Sequence, residues 1–334
     1  MKLGTSLRFI FPTGPQTYQQ FKQNLATMPP GSFIERPMGA FDTAEQAENL
    51  LEVAAAARDA ELDGLLVGDN HAIPAGYANC FSPLPTLARL MAATGEMSVG
   101  AVLLAPFYQP VLLAEQIGTI SAFARGPLIV TLANGGNERA FAAYGLDLRS
   151  RARRLEELAT VLRALLAGER VSFRGRYITL DGVRISPLPR VPVEIWLAGT
   201  VPSAAARAGR LGDAWLTGQN ATDADVVQQL AIYRDAAAAA GRTPRAVLRR
   251  DIFVAESDAE AHAEVDRVLA EGYRGTGKDE LLVGSPDSVV ERLRAYRKLG
   301  FEEAMVRHIT GDHRLMLRSF ALIGKHVMPA IRDL

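Results

Sequence analysis

The chain has 334 residues, 48% of them hydrophobic and 22% charged, a globular composition that excludes a disordered or fibrous protein. Lys plus Arg equals Asp plus Glu at 37 each, so no global field draws it to nucleic acid or an anionic membrane. The single cysteine, Cys80, excludes an internal disulfide and an all-cysteine zinc site, and no stretch approaches the roughly 20 apolar residues of a membrane span.

The N-terminal MKLGTSLRFIFPTG lacks the long apolar core and small-residue cleavage site of a signal peptide, so a cytoplasmic location is expected. From there, β-rich runs fall at 3–11, 64–67, 97–104, 128–133, 193–198, 213–217, 248–255 and 303–309. Segments with helical spacing and good helix formers lie between them, at 44–62, 110–124, 151–168, 202–212 and 287–300. Pro83, Pro110, Pro202 and Pro286 suit first helical turns, where the missing N–H costs nothing. Gly168, Gly212, Gly241 and Gly300 suit left-handed helix stops.

About eight β-runs alternating with helices predict parallel strands with right-handed crossovers. Eight strands close a ring, so the expected fold is α/β, a (β/α)8 TIM barrel forming one domain over 1–334. An open doubly wound sheet is the competitor, weakened because no G-x-G-x-x-G follows the first strand. Insertions are expected at about 12–43, at 169–190 as a hairpin around Arg174-Gly175-Arg176, and at 271–285 as a Gly-rich loop.

In a barrel the chemistry sits at the C-terminal strand ends. GDNHAIP (68–74) puts Asp69, Asn70 and His71 there, and a histidine can exchange a proton near neutral pH. A loop histidine satisfied by backbone is the plainer alternative. After the fourth run, Asn134, Gly135 and Gly136 allow close backbone approach to a ligand, with Asn137 and Glu138 next. After the fifth, Gly199, Thr200, Pro202 and Ser203 lead into a helix whose exposed N–H groups could hold a phosphate, unless Thr200 or Ser203 simply caps that helix. The five histidines, His71, His262, His308, His313 and His326, show no metal-ligand spacing, so no metal is expected, and no G-x-S-x-G elbow is present.

These blocks, in this order, resemble the bacterial luciferase-like family of flavin- and deazaflavin-dependent oxidoreductases. The resemblance is carried by GLLVGDNHAIP (64–74), residues 83–120, LANGGNERAFAAYG (132–145), residues 153–182, IWLAGTVPSAAARAGRLGDAWL (195–216) and VGSPDSVVERLRAYRKLG (283–300). It implies a TIM barrel that binds reduced flavin mononucleotide (FMN) or, alternatively, coenzyme F420. Gly199, Thr200, Pro202 and Ser203 would hold the phosphate, and Asn134 and Gly135 would lie along the ribityl chain or phosphate. Val102, Leu103, Leu104 and Ala105 would press on the ring, with a non-proline cis peptide expected at Val102–Leu103. The chain departs from the family at Asn70, which stands where members carry a first histidine, leaving His71 as the proton-handling substitute beside Asp69. Gly136 replaces the glutamate of the sugar-oxidising deazaflavin branch, and Asn134 the phosphate-binding arginine of the luciferases.

The activity implied is monooxygenation of a small apolar organic substrate with O2, the aromatic residues Tyr77, Phe81, Phe107 and Tyr108 suiting such a molecule. The alternative is F420-dependent hydride transfer. A non-catalytic flavin-binding protein and a metal-dependent hydrolase are the readings from other classes. A homodimer through 83–94 and 110–124 is expected, with a separate flavin reductase as a further partner.

Overall fold

A computed structural model describes residues 1–7, 10–12, 42–72, 78–219, 221–270 and 278–332. Among them, eight parallel strands close into a ring: β1 (Lys2–Leu7), β3 (Gly64–Val67), β5 (Ser98–Leu104), β6 (Leu128–Ala133), β9 (Val193–Gly199), β10 (Ala214–Thr217), β11 (Ala246–Val254) and β13 (Glu303–His308). Each pairs with its chain predecessor, and β1 closes on β13 from Lys2↔Glu303 to Thr5↔Val306. The fold is therefore a (β/α)8 barrel.

Among the described residues the helices are α1 (Thr43–Asp59), α2 (Pro83–Thr94), α3 (Pro110–Phe123), α4 (Glu138–Ala143), α5 (Arg151–Leu166), α6 (Pro202–Leu211), α7 (Asp223–Ala239), α8 (Asp258–Ala270), α9 (Pro286–Leu299), α10 (His313–Leu322) and α11 (Met328–Arg332). Pro83, Pro110, Pro202 and Pro286 each open a helix. Gly300 stops α9 in the left-handed conformation, φ 101°. Gly212 ends α6 differently, in extended backbone, because the chain turns at once into β10.

The barrel strands are covered on both faces and so read as continuous apolar runs. Alternate residues sort into two layers. Leu3, Leu65, Val99, Leu103, Ile195 and Leu248 join the large cluster under the helices. Leu66, Ile129, Trp196, Leu216, Val247 and Met305 form a separate cluster that fills the barrel interior.

Besides Gly212, three sequence expectations need correction. The run 3–11 does not lie in one sheet: residues 8–9 lie outside the described residues, β1 (Lys2–Leu7) belongs to the barrel, and β2 (Ile10–Pro12) pairs antiparallel with β4 (Ala78–Cys80). The segment 271–285 is not wholly a loop. Residues 271–277 lie outside the described residues, but Lys278–Glu280 is a single 3-10 turn. Leu282–Gly284 is then a short strand, β12, added to β11 with Leu282 buried. The third concerns Val102–Leu103, whose peptide is trans, the described cis bond being Ser186–Pro187. Both residues lie in an unbroken parallel ladder to β6, Val102↔Thr131 and Leu103↔Leu132. A cis bond there would cost about 3–4 kcal/mol. The expected insertion 12–43 falls almost entirely outside the described residues. The expected hairpin is present as β7 (Val171–Arg174) and β8 (Thr179–Val183).

The N-terminal end of the barrel is closed by charge. Arg245 pairs with Glu194, whose carboxylate also accepts from Trp196 Nε1 at 2.7 Å. Glu303 lies nearby, and burial pushes its carboxyl up to about 7, against the pull of Arg245 and Lys2. A carboxyl raised in the folded state contributes stability that is complete below its unfolded value and lost as pH rises through about 7. Glu303→Gln is therefore expected to stabilise the protein at pH 8 by about 2–3 kcal/mol, with little change at pH 4. Denaturant unfolding at the two pH values checks this, and an equal shift at both would contradict it.

Candidate functional site

The C-terminal strand ends hold a second set of polar groups, at the opposite end from Arg245, Glu194 and Glu303. Two residues past β3, Asp69 is buried at 7% exposure. Its Oδ2 accepts three hydrogen bonds: from Leu104 N at 2.9 Å, Tyr108 OH at 2.9 Å and His71 Nε2 at 3.1 Å. The same histidine nitrogen is 3.1 Å from Oδ1, but Oδ1 has no hydrogen-bond partner. Burial pushes the Tyr108 phenol well up, and the Asp69 carboxylate beside it pushes it further, so Tyr108 stays a neutral donor. Asn70 sits half-buried between Asp69 and His71.

His71 is held from its other side as well. Its Nδ1 lies 3.1 Å from Tyr144 OH, and its ring stands edge-on to Phe107 at 4.8 Å and to Tyr144 at 5.3 Å. Phe107 in turn packs on Phe141 at 4.9 Å, so an aromatic wall joins the ends of β5 and β6 through the short helix α4. Asn137 caps that helix, accepting from Arg139 N at 3.1 Å, which gives it a structural task. Glu138 is the first residue of α4 and is exposed.

On β6, Thr131 shares its register with Val102 and Trp196 and so faces the interior. Its Oγ1 is buried without a partner, as is Asn134 Oδ1 just past the strand. A buried polar atom left unpaired costs about 1–3 kcal/mol, so either oxygen would gain from a donor brought to it by a ligand or water. Gly135 follows with φ 69°, a left-handed bend that spares the chain a Cβ there, and an added Cβ on Gly136 would meet open space.

The strand-end residues of β5 separate by alternation. Val102 packs against the interior cluster and faces the mouth. Leu103 is fully buried in the outer layer under the helices, and Ala105 is buried in a 3-10 turn, Ala105–Phe107. Leu104 is half-buried and lies beside Gly135.

Past β9, neither Thr200 nor Ser203 caps α6. The cap position is Val201, whose side chain cannot accept a hydrogen bond, and Pro202 opens the helix. Thr200, Pro202 and Ser203 are all exposed. Pro202 has no N–H, and Ala204 N and Ala205 N bond back to Val201 O at 2.9 and 3.1 Å, which leaves the Ser203 N–H as the first-turn donor on the mouth side that no side chain caps. Gly199 makes the bend: an added Cβ would lie 2.2 Å from Ala204 Cβ, so any larger residue would push the strand end and the helix apart.

Three charged residues line the interior that sequence reasoning missed. Arg249 and Asp251 alternate along β11 and Arg307 faces them from β13, with Asp251 Oδ1 3.5 Å from Arg249 and 3.3 Å from Arg307. The signal was available, since charges at alternate positions of otherwise apolar strands point into a barrel. Among the described residues, no group of three or more His, Cys, Asp or Glu could hold a metal ion, and no helix is long and apolar enough to cross a membrane.

A closed barrel with buried polar atoms of Asp69, Thr131 and Asn134 at its C-terminal strand ends has its polar groups where enzymes of this architecture work. Residues 28–303 match the model of the luciferase-like monooxygenases, and the chain belongs to that family, whose members are oxidoreductases. It is 31% identical over 186 residues to an F420-dependent hydroxymycolic acid dehydrogenase of Mycobacterium tuberculosis, a match covering 54% of this chain and 51% of that one. Against an FMNH2-dependent dimethylsulfone monooxygenase of Pseudomonas fluorescens it is 25% identical over 282 residues, covering 73% and 76%. Among solved structures, monooxygenase RslO1 from Streptomyces bottropensis superposes with TM-score 0.77 at 22% identity, covering 98% of this chain and 99% of that one, which shows the shared fold.

Proposed function

We propose that the protein is a flavin-dependent monooxygenase that uses reduced FMN and O2 on a small apolar organic substrate. The observation that carries this is the N-terminus of α6 behind the Gly199 bend, which no side chain caps and where the exposed Thr200 and Ser203 could meet a phosphate. The residues fit such a cofactor: Gly199, Thr200, Pro202 and Ser203 would take its phosphate, Asn134 and Gly135 the chain leading to the ring, and Val102 a ring face. When bound, the cofactor supplies the electrons that oxygen chemistry needs. The protein's share is to bind and orient it, to exclude water with the wall of Phe107, Phe141 and Tyr144, and to hold a proton at the Asp69–His71 pair. The exposed Leu112 and Phe123 on α3 support pairing of two copies through α2 and α3. A cytoplasmic location and a separate reductase delivering the reduced flavin complete the proposal.

The second reading is F420-dependent hydride transfer, favoured by relatives such as an F420-dependent dehydrogenase and open to the same phosphate loop. Anaerobic fluorescence titration with each reduced cofactor separates them. Micromolar binding of FMN followed by substrate-dependent oxygen uptake is the expected result. Binding of F420 alone moves the assignment to hydride transfer. Binding of FMN without turnover of any substrate leaves a flavin-binding protein, and binding of neither overturns the proposal.

A further inference from the structure

We propose that Tyr144 is the group that passes a proton between a bound reactant and the buried Asp69–His71 pair. The inference rests on the oxidoreductase reading for its reactant, but its geometry belongs to the protein alone. Both ring nitrogens of His71 are engaged, Nε2 with the Asp69 carboxylate and Nδ1 with Tyr144 OH, each at 3.1 Å. Asp69 Oδ2 already accepts from Leu104 N and Tyr108 OH, so the carboxylate is an acceptor and His71 must donate to it from Nε2. The neutral ring then has a bare Nδ1, which accepts the Tyr144 hydroxyl proton. His71 therefore has no nitrogen left to present to a ligand. Its proton traffic leaves through Tyr144.

Tyr144 is built for that place. It caps α4, its N–H reaching Ala140 O at 3.1 Å, and the next two residues bond back into the helix, Gly145 N to Ala142 O at 3.0 Å and Leu146 N to Phe141 O at 2.8 Å. Its ring packs on Phe107 at 4.8 Å, yet the residue stays 50% exposed at the rim. In the step, the Tyr144 O–H bond breaks as Nδ1–H forms, and the same oxygen takes a proton from the reactant. The net change is one proton moved from reactant to His71. The imidazolium is paired with Asp69, the reactant carries the negative charge, and no electron is transferred. Protonation of a reactant is the reverse.

Two measurements test this, one needing no cofactor. In the cofactor-free protein, 15N NMR of His71 is expected to show the Nε2–H tautomer with a hydrogen-bonded Nδ1, and Tyr144→Phe to shift Nδ1 alone to the unbonded position. A Nδ1–H tautomer, or no shift in the variant, overturns the relay whatever the enzyme does. With whichever reduced cofactor binds, Tyr144→Phe is expected to lower kcat about 100-fold while leaving cofactor Kd within about twofold. His71→Phe should lose about as much, and the double variant no more than either. Additive losses would make Tyr144 a packing residue and overturn the proposal. If neither cofactor binds, the oxidoreductase reading fails, and the NMR result alone upholds or overturns the relay.

Discussion

Glu157→Ala is expected to cost about 3–5 kcal/mol of stability at pH 7. Glu157 is buried on α5, and its carboxylate accepts the backbone N–H groups of Arg176, Tyr177 and Ile178 at 2.8, 2.9 and 3.0 Å, together with Arg153 Nε at 3.0 Å. These are the turn residues between β7 and β8, so one side chain ties the inserted hairpin to the barrel. Burial pushes the Glu157 carboxyl up, but the three backbone donors and Arg153 outweigh it and hold the group below the ordinary glutamate range. A lowered carboxyl contributes stability that is present above its unfolded value and lost as pH falls through the folded one. The gap between the parent protein and the variant in urea melts should therefore narrow under acid conditions. Glu157→Gln should lose less than alanine but still lose, because its NH2 meets donors. A variant that melts like the parent, with the 175–178 turn still resistant to protease, would remove this account.

Ser203→Asp is expected to weaken binding of reduced FMN by about 30- to 150-fold, because a carboxylate near a phosphate costs about 2–3 kcal/mol in a half-screened setting. The same change should leave thermal stability level or slightly raised, since a negative charge in the first turn favours the helix dipole. Ser203→Ala, which removes only a hydroxyl, should weaken binding roughly three- to tenfold. The opposite signs of the two readouts make the test specific. Equal affinity in parent and aspartate variant would show that the α6 N-terminus does not hold the phosphate.

The barrel was legible in the sequence because two-sided burial writes each strand as an apolar run and prolines mark the helix starts. It was less legible where pairing is decided by distant partners. The antiparallel pairing of residues 10–12 depends on residues 78–80, and β12 forms because β11 runs nine residues and offers Leu282 a ladder. At the mouth, Asp69 and His71 could be found from their place after a strand. Tyr108 and Tyr144 could not be given their roles, because they reach the pair across 39 and 73 residues. Leu103 and Val102 could have been told apart, since neighbours on a strand face opposite sides. The identity of the α6 cap needed the structure: Thr200 and Ser203 are both good capping residues, and the helix starts between them.

The seam between β1 and β13 sets a timetable for synthesis. β1 leaves the ribosome first, and its partner Glu303–Val306 is about 300 residues behind, a delay of roughly 15–60 s at about 5–20 residues per second. For that interval one edge of β1 carries unpaired N–H and C=O groups that can recruit a foreign strand. Arg307 arrives with the last strand, so the nascent chain has no finished mouth for a cofactor to grip. Cofactor supply can then protect the finished enzyme but cannot guide the early steps of its folding, and poor yields on overexpression should respond to slower translation or a chaperone rather than to added flavin.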